Sequence, residues 1–442
     1  MNTVPKKRIL FISYYFPPMG GGGVQRILKF LKFWDYSGFD VSILTVKSSY
    51  FYAEDKTLMK EIPAQVSVYR SGSLDPFRIA QIIREYLPGR KRKSENLSRE
   101  SGGFFRKIAS LLFVPDSRVL WLPFALFRIY RIHRQTPLNL VIATMPPFTT
   151  GVIAKWAFKL FGIPYILDFR DAWTNNPYLP EISPLHTKLQ KGLEQRVLKT
   201  AQGLIFVNPN LYSYYMSAYT FLKDKPNQLI RNGFDPDDFT DLVQTQLPGS
   251  PEMLKIGVMG TIYSQGNAPN TLIEAISELL KDNPQLKERI KIFFVGKWTN
   301  SFEAWVGCLN LESSVNWVGY LEHREALKFI SNMDFLTLAI KSDIPGSENV
   351  TPGRIYEYLY LKRPILALCP LNSDLAGLVS DTQSGLVFDY YDKEGVKATI
   401  LEMLENSTKL TSRFRFEKLE EYDRKNLTAK MIDFVSKILK SE

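Results

Sequence analysis

Cysteine and histidine are scarce in this chain, and both shortages narrow the kinds of protein that it can be. Its 442 residues include two cysteines, Cys308 and Cys369, which lie far apart and offer no disulfide framework. The three histidines, His133, His186 and His323, follow no metal-ligand spacing. We therefore expect a reducing, cytoplasmic location and no metal site.

The sequence also lacks a hydrophobic run of the kind that crosses a membrane. The longest charge-free stretch, residues 135–154, approaches the length that a bilayer requires, but it contains three prolines and four threonines. The amino terminus, MNTVPKKRILFISYYFPP, has only a short apolar segment before its prolines. This pattern predicts a first strand rather than a signal peptide.

Positive charge is in excess, and it is unevenly distributed along the chain. The net charge is +11, and residues 84–134 hold 12 Lys and Arg against 4 Asp and Glu, interleaved with aromatic residues. Such a segment is typical of a surface that lies against anionic lipid. A solvated insertion beside buried aromatic residues is the alternative interpretation. No nucleic-acid-binding motif accompanies the charge, so we expect no nucleic-acid partner.

The length of the chain exceeds what one hydrophobic core normally serves, so two domains are expected. Strand patterns alternate with helical patterns, which predicts βαβ units and parallel sheets. In the first half the predicted strands lie near residues 8–13, 38–45, 66–69, 138–144, 163–168 and 202–207, the last being the final strand of that half. The pattern restarts at residues 254–261. Ligands of such sheets bind beyond the carboxyl ends of the strands.

A run of four glycines follows the first predicted strand. Gly20, Gly21, Gly22 and Gly23 separate that strand from an amphipathic helical pattern. A strand, a glycine-rich turn and a helix in this order can cradle a phosphate, because glycine lets the backbone approach an anion closely. The run is neither a dinucleotide fingerprint nor a P-loop. A flexible turn without a ligand is the alternative.

Charged residues follow another strand of the first half. The segment LDFRDAWT places Asp168, Arg170 and Asp171 within four positions. These groups are costly to bury unpaired, so they form either a self-compensating ion cluster or a set that contacts sugar hydroxyls. We predict that at least one of the three contacts a sugar.

The segment of residues 343–364, DIPGSENVTPGRIYEYLYLKRP, joins a predicted buried strand to a helix through a loop rich in glycine and proline. Free backbone N–H groups at such a helix start favour phosphate. Arg354 at the start of the helix could bind a phosphate, and Glu357 could accept a hydrogen bond from a ribose hydroxyl. An ordinary crossover with a polar loop is the alternative.

Several of these motifs resemble those of retaining family 4 glycosyltransferases. TPGRIYEYL is similar to the P-G-K-x-x-E-Y-L motif of a bacterial subset, with Arg354 at the usual lysine. LDFRDAWT resembles the D-F-R-D-x-W-T motif of that subset, and YYFPPMGGGG resembles a Y-x-P-P-x-x-G-G segment. The resemblance implies the GT-B fold and a nucleotide-diphosphate sugar as co-substrate, with no further cofactor.

The resemblance also implies which residues bind the donor. They are Gly260, Thr261, Lys297, Glu348, Asn349, Thr351, Pro352, Gly353, Arg354 and Glu357. The sequence departs from the family in two places. Asn349 stands eight positions before Glu357, where the family has a glutamate, with Glu348 one place earlier. The turn at residues 260–267 lacks the usual arginine and lysine. Either backbone amides and Arg354, together with Lys297, carry the phosphates in their place, or the donor is unusual, or activity is lost.

We therefore predict two Rossmann-like α/β domains facing across a cleft. The predicted parts are an acceptor-side domain at 1–235 containing the basic insertion of residues 84–134, a linker at 236–251, a donor domain at 252–425 and a helix at 426–442 that crosses back to the first domain. In the acceptor-side domain, Asp168, Arg170 and Asp171 are the predicted catalytic residues, and residues 20–23 form an acceptor or phosphate loop.

The predicted activity is retaining, metal-independent transfer of a sugar to a glycan or lipid-linked acceptor in cell-surface polysaccharide synthesis. The expected location is cytoplasmic, with peripheral contact at the inner face of the membrane. Two alternatives stay open. One is a nucleotide-sugar epimerase of the same fold, and the other is a non-catalytic relative that binds a nucleotide sugar or glycan.

Overall fold

The computed structural model describes residues 5–47, 54–74, 113–178, 183–240, 253–262 and 266–440, except for the side chains of residues 406–411. The chain forms two compact units. One comprises Met1–Arg231 together with Thr428–Glu442, and the other comprises Asn232–Leu427. Residues 84–112 of the predicted basic insertion and residues 241–251 of the predicted linker lie outside the described residues.

The first unit contains a seven-stranded sheet in which neighbouring strands run parallel, in the order β3-β2-β1-β4-β5-β6-β7. The strands are β1 Lys7–Ile12, β2 Phe39–Val46, β3 Ser67–Ser71, β4 Leu140–Met145, β5 Tyr165–Phe169, β6 Gly203–Phe206 and β7 Asn227–Leu229. Its described helices are α1 Gly22–Lys32, α2 Leu122–Gln135, α3 Thr149–Phe161, α4 Pro184–Thr200 and α5 Pro209–Ala218.

The prediction that the strand at residues 202–207 is the last of this half is wrong. A further strand, β7, pairs with β6 at the edge of the sheet. It has three residues, and its sequence Asn-Gln-Leu is largely polar and partly exposed. An edge strand this short and polar carries none of the apolar run by which the other strands are predicted.

The second unit repeats the same topology with six strands, in the order β10-β9-β8-β11-β12-β13, again with parallel neighbours. The strands are β8 Leu254–Thr261, β9 Ile290–Lys297, β10 Val315–Gly319, β11 Phe335–Ala339, β12 Ile365–Leu368 and β13 Gly385–Phe388. The helices are α6 Asn270–Asp282, α7 Asn300–Gly307, α8 His323–Ile330, α9 Arg354–Tyr360, α10 Asp374–Asp381 and α11 Lys393–Thr411.

The central strands of both sheets are buried and mostly apolar because helices cover both faces. Every residue of β4 is buried, and so is every residue of β11. In the second unit two hydrophobic clusters are built on the sheet: one contains Phe294 and Leu366, and the other contains Leu336 and Ala367. Alternate residues of a strand point to opposite faces, so a strand buried on both faces needs an unbroken apolar run.

The last helix, α12 Arg424–Lys440, belongs to the first unit from Thr428 onward. Its side chains Phe434 and Ile438 lie against Gly203 at the start of β6, where a Cβ would come within 2.9 Å of the Phe434 ring. Glycine at this position therefore lets the helix pack directly on the strand. Among the helices of the described residues, none is long and apolar enough to cross a membrane.

Replacing Phe434 with alanine tests how much this helix contributes to the first unit. Phe434 is 6% exposed, so the change leaves a cavity against Gly203. We expect the free energy of unfolding to fall by about 3–5 kcal/mol, as measured by urea unfolding. Lys430→Ala on the exposed side of the same helix is the control and should change it by less than about 0.5 kcal/mol. Equal effects of the two changes would contradict this packing.

Candidate functional site

The order of the strands in the second sheet reverses between the neighbours β8 and β11. The predicted donor-binding residues lie near that point. The connections that follow these two neighbouring strands leave toward opposite faces of the sheet. A crevice therefore opens at the carboxyl ends of the strands. β8 pairs directly with β11 and ends at Thr261, while β11 ends at Ala339. The chain then runs through residues 340–353 into α9.

Arg354, the first residue of α9, reaches back to the end of β8. Gly260 has a φ of 113°, a conformation that favours glycine. A Cβ on Gly260 would overlap Nη1 of Arg354, so the guanidinium occupies the space that a side chain would fill. The Nε atom of Arg354 is buried and has no hydrogen-bond partner in the described part of the chain. A guanidinium is well suited to bind a phosphate, and this one has an unsatisfied donor.

The neighbouring strand β9 also has a glycine next to its last residue. Gly296 in β9 is in register with Gly260 and has a φ of 136°. A Cβ on Gly296 would overlap the carbonyl oxygen of Gly260. The two glycines thus let the ends of β8 and β9 approach closely, and the floor of the crevice is backbone.

Lys297 and Thr261, the other residues predicted at these strand ends, have defined partners. The Lys297 ammonium lies 5.1 Å from the centre of the Tyr320 ring. The carbonyl oxygen of Thr261 accepts a hydrogen bond of 2.7 Å from the Asn267 side chain. Tyr320 is 40% exposed, so the pair places a cation and an aromatic face at the carboxyl end of the sheet.

Glu357 lies one turn into α9 and pairs with a histidine. Its Oε1 atom is 2.8 Å from Nε2 of His323, the first residue of α8. Both side chains are less than one-fifth exposed. The sequence analysis did not predict this pair. It considered His323 only for metal-ligand spacing, and such a spacing does not reveal a hydrogen bond between two separate helices.

The next residue fixes α9 against the sheet. Tyr358 is buried, and its hydroxyl accepts a hydrogen bond of 3.2 Å from the backbone N–H of Met259 in β8. Burial raises the pKa of Tyr358 to about 12. The helix that carries Arg354 and Glu357 is therefore held at a defined distance from the strand that carries Gly260.

The loop that leads into α9 is fixed at two places. The Thr351 hydroxyl donates a hydrogen bond of 2.5 Å to Asp374, at the start of α10. Asn349 is buried, and its amide lies 3.3 Å from Glu348, which is partly exposed. Pro352 and Gly353 follow, with Gly353 exposed at the helix start. Of the two residues at the position of the family's first glutamate, Glu348 is therefore the more accessible.

In the first unit, Arg170 joins the segment after β5 to the glycine-rich turn and to the end of β4. Its guanidinium donates to the carbonyl oxygens of Gly23 at 2.7 Å, Met145 at 3.3 Å and Pro146. Burial lowers the pKa of Arg170, and the nearby carboxylate of Asp171 opposes that shift. Arg170 thus holds the glycine-rich turn beside the end of β4.

The same turn has an open side. Gly21 has a φ of 95°, and a Cβ on Gly21 or Gly22 would meet no other atom within 4 Å. Gly20 precedes them and Gly23 lies in the first turn of α1. The two open glycines leave backbone accessible to a ligand, whereas Gly23 is in contact with Arg170 and Tyr15.

Asp168 is fully buried and belongs to an internal ion pair. Its carboxylate accepts hydrogen bonds from Arg26 at 2.7 and 3.0 Å and from the Thr144 hydroxyl at 2.9 Å. Arg26, on α1, also donates to the carbonyl oxygens of Ile230 and Arg231. The contacts of Asp168 support a positioning role, and its predicted contact with a sugar stays a prediction.

Asp171 differs from Asp168 in its surroundings. It is partly exposed, and its carboxylate makes no hydrogen bond to another described residue. Desolvation raises the pKa of Asp171, and the charge of Arg170 partly offsets this. Of the three predicted catalytic residues, Asp171 is the one whose carboxylate stays available to a ligand.

A buried glutamate that the sequence reasoning missed holds the segment after Asp171. Glu194 on α4 is 0% exposed and accepts hydrogen bonds from the hydroxyls of Thr174 at 2.6 Å, Tyr215 at 2.6 Å and Tyr219 at 2.7 Å. Tyr215 in turn accepts from the backbone N–H of Trp173 at 3.0 Å. Burial raises the pKa of Glu194, although these hydroxyls oppose the shift. The helical pattern carries no signal for it, because the buried face of α4 also includes the polar residues His186 and Gln190.

The fold is shared with solved structures of low sequence identity. Sucrose-phosphate synthase (tll1590) from Thermosynechococcus elongatus aligns with a TM-score of 0.66 and 14% identity over 99% of this chain and 100% of that one. HepE (Alr3699) from Anabaena, in complex with UDP-glucose, aligns with a TM-score of 0.63 and 14% identity over 97% and 99%.

WaaG, a glycosyltransferase involved in lipopolysaccharide biosynthesis, aligns with a TM-score of 0.60 and 13% identity over 97% of this chain and 99% of that one. These alignments and the two parallel sheets confirm the predicted fold class, the two-domain α/β architecture of GT-B proteins.

The family comparison is more specific for the second unit. Residues 254–406 match the family described as "Glycosyl transferases group 1". This match contains the crevice around Gly260, Arg354 and Glu357 and confirms the predicted resemblance at the level of that group. A search of curated proteins finds no match.

Glu194→Gln removes the buried charge with little change in side-chain shape and makes stability less dependent on pH. Because the pKa of Glu194 is higher in the folded protein than in the unfolded chain, the folded state binds more protons between the two values. The stability of the wild type relative to the variant should therefore fall as pH rises above about 4.3, by up to about 1.4 kcal/mol per pH unit.

Urea unfolding at a series of pH values from about 4.3 to about 8 measures this difference. The exchange Glu312→Gln, at an exposed position, controls for the loss of one negative charge. A difference between wild type and Glu194→Gln that stays constant over the whole series would contradict the assignment.

Proposed function

We propose that this protein is a retaining glycosyltransferase that uses a nucleotide-diphosphate sugar. The observation that carries the proposal is the position of Arg354, whose guanidinium lies against Gly260 near the end of β8 with its Nε donor unsatisfied. The family match over residues 254–406 and the fold shared with HepE, which was solved with UDP-glucose, support this proposal.

In this proposal the diphosphate of the donor binds at the crevice of the second unit. Arg354 supplies the positive charge that the turn after β8 lacks. The backbone N–H groups of Thr351 and Gly353 and the Lys297 ammonium are further donors. Glu357 accepts a hydrogen bond from a ribose hydroxyl. Glu348 or Asn349 contacts the donor sugar.

The transfer step breaks the bond between C1 of the sugar and the diphosphate oxygen, and the electron pair leaves with the diphosphate. A hydroxyl oxygen of the acceptor forms the new bond to C1 on the same face, and its proton is released. Charge grows on the diphosphate as the bond breaks, so fixed cationic donors such as Arg354 stabilise the transition state without a metal.

The first unit would bind the acceptor, a glycan or a lipid-linked precursor of cell-surface polysaccharide. The open glycines Gly21 and Gly22 offer backbone N–H groups, and Asp171 offers a carboxylate for a sugar hydroxyl. Arg170 positions both elements through its contacts with Gly23 and the end of β4.

Arg354→Ala tests the donor site directly. A hydrogen bond to a charged group contributes about 1.5–3 kcal/mol, so the dissociation constants for UDP, GDP or other nucleoside diphosphates should rise at least about tenfold in isothermal titration calorimetry. Lys281→Ala, at an exposed position in the same unit, removes the same charge and should leave binding unchanged. Gly260→Ala should weaken binding as well, because the added methyl group displaces the guanidinium.

Product analysis with a panel of nucleotide sugars separates the alternatives. A glycosyltransferase releases one nucleoside diphosphate for each glycoside formed, an epimerase changes the configuration of the sugar, and a binding protein does neither. Unchanged nucleotide binding in Arg354→Ala would contradict the donor site proposed here.

A second part of the proposal is that the first unit contacts an anionic membrane from the cytoplasmic side. The helices α2 and α3 contain no acidic residue and expose both cations and apolar side chains. On α2, Phe127 is 63% exposed and Tyr130 is 40% exposed, and on α3 Leu160 is 54% exposed. The two helices meet where the rings of Tyr130 and Phe161 lie 5.7 Å apart.

Basic residues accompany this apolar surface. Arg131 and Arg134 are exposed on α2, and Lys159 is exposed on α3. Aromatic and aliphatic side chains that insert at the headgroup level, with cations beside them, fit a bilayer that contains anionic lipid. This surface extends the prediction made for residues 84–134 to a defined pair of helices.

Phe127→Asp and Arg131→Glu test the membrane contact by introducing a negative charge into this surface. We expect the fraction of protein that sediments with vesicles of phosphatidylglycerol and phosphatidylcholine to fall severalfold. Leu185→Asp, on α4, makes the same kind of change at a leucine that is 68% exposed, and it should leave sedimentation unaltered. Equal sedimentation of all four proteins would contradict the contact.

A further inference from the structure

The pair of His323 and Glu357 joins two helices beside the crevice of the second unit. His323 begins α8, which follows β10, and Glu357 lies in α9, which follows β11. Their side chains are 18% and 17% exposed, so solvent reaches the pair on one side while protein surrounds the rest. The two residues are 34 positions apart, and the hydrogen bond of 2.8 Å is therefore a tertiary contact.

The chemistry of the pair fixes one oxygen of the carboxylate. A carboxylate only accepts hydrogen bonds, so Nε2 of His323 must donate its proton to Oε1 of Glu357, whether the imidazole is neutral or protonated. Oε2 of Glu357 makes no hydrogen bond to another described residue. The pair thus leaves one carboxylate oxygen free while the other is held.

The backbone of Glu357 is fixed independently. Its neighbour Tyr358 is hydrogen-bonded to Met259 in β8, and Arg354, one turn earlier, lies against Gly260. A glutamate with a fixed helix and a free side chain would still sample several rotamers, and each lost rotamer has an entropic cost on binding. The hydrogen bond from His323 removes that freedom before the ligand arrives.

We propose that His323 is a positioning residue for nucleotide binding. It orients Glu357 so that Oε2 accepts hydrogen bonds from the hydroxyls of the donor's ribose. This inference rests on the proposed function, because it requires a nucleotide in the crevice. It goes further by assigning the recognition of the ribose to a pair of residues on two helices.

The experiment compares nucleotides that have ribose hydroxyls with nucleotides that lack them. The probes are UDP, GDP, ADP and CDP and the 2′,3′-dideoxy form of each. Isothermal titration calorimetry gives their dissociation constants for wild type, His323→Ala and His323→Gln. In His323→Gln a side-chain amide can still donate to Oε1. Glu325→Gln, at an exposed position on the same helix, is the matched control.

If the inference is right, wild type binds the hydroxylated form of its preferred nucleotide more tightly than the dideoxy form. His323→Ala should weaken the hydroxylated form about tenfold and the dideoxy form little, so the discrimination is lost. His323→Gln should retain most of it, and Glu325→Gln all of it. A general loss of structure would instead weaken both forms equally.

Two results would overturn the inference, and they are distinguishable. If wild type binds a diphosphate and His323→Ala keeps the ratio between its two forms, the role of His323 is refuted while the proposed function stands. If wild type binds none of the diphosphates, the inference fails together with the proposed function. Thermal unfolding of each variant identifies any that do not fold, and His323→Gln then decides the comparison.

Discussion

The contact between the Arg354 guanidinium and Gly260 near the end of β8 is the constraint on which the candidate donor site depends. It requires glycine at Gly260, next to the last residue of β8, and at Gly296, next to the last residue of β9, since a Cβ at either place would overlap its neighbour. Arg354 at the start of α9 brings positive charge to this end of the sheet, where the turn after β8 contains no Lys or Arg.

The first unit uses the same strand order but secures its crevice with buried charge. Arg26 and Asp168 are almost completely excluded from solvent, and each is satisfied by several hydrogen bonds. Desolvation makes such pairs poor sources of net stability, but a buried charge deprived of its partner is strongly destabilising. The pair therefore constrains geometry: it ties α1 to the end of β5. Arg170 and Glu194 fix the adjoining segments in the same way.

The sequence was most informative where local pattern decides structure. Apolar runs and helical spacing predicted both parallel sheets, and strand-loop-helix order placed Arg354 and Glu357 at a strand end. Long-range partners carry no such pattern. Arg26 and Asp168 are separated by 142 positions, and a sequence shows neither that they meet nor that Asp168 is sealed off as a result. The three-residue strand β7 was missed because its polar residues resemble a loop.

Only part of the candidate site was predicted, because long-range contacts leave no local pattern in the sequence. Composition identified LDFRDAWT as a cluster that needs compensation, yet it could not separate the buried Asp168 from the accessible Asp171. His323 was judged by metal-ligand spacing alone, which is blind to a single hydrogen bond between helices. Residue types predict which chemistry is available, and only packing shows which atoms stay free.

The first unit is discontinuous in sequence, since its last helix is made from the final residues of the chain. A ribosome must therefore synthesise the whole second unit before the surface around Gly203 can be covered by Phe434 and Ile438. Until then the nascent first unit exposes apolar surface along β6. Such exposure favours aggregation and chaperone binding, and it lasts until the residues that follow the second unit have been synthesised.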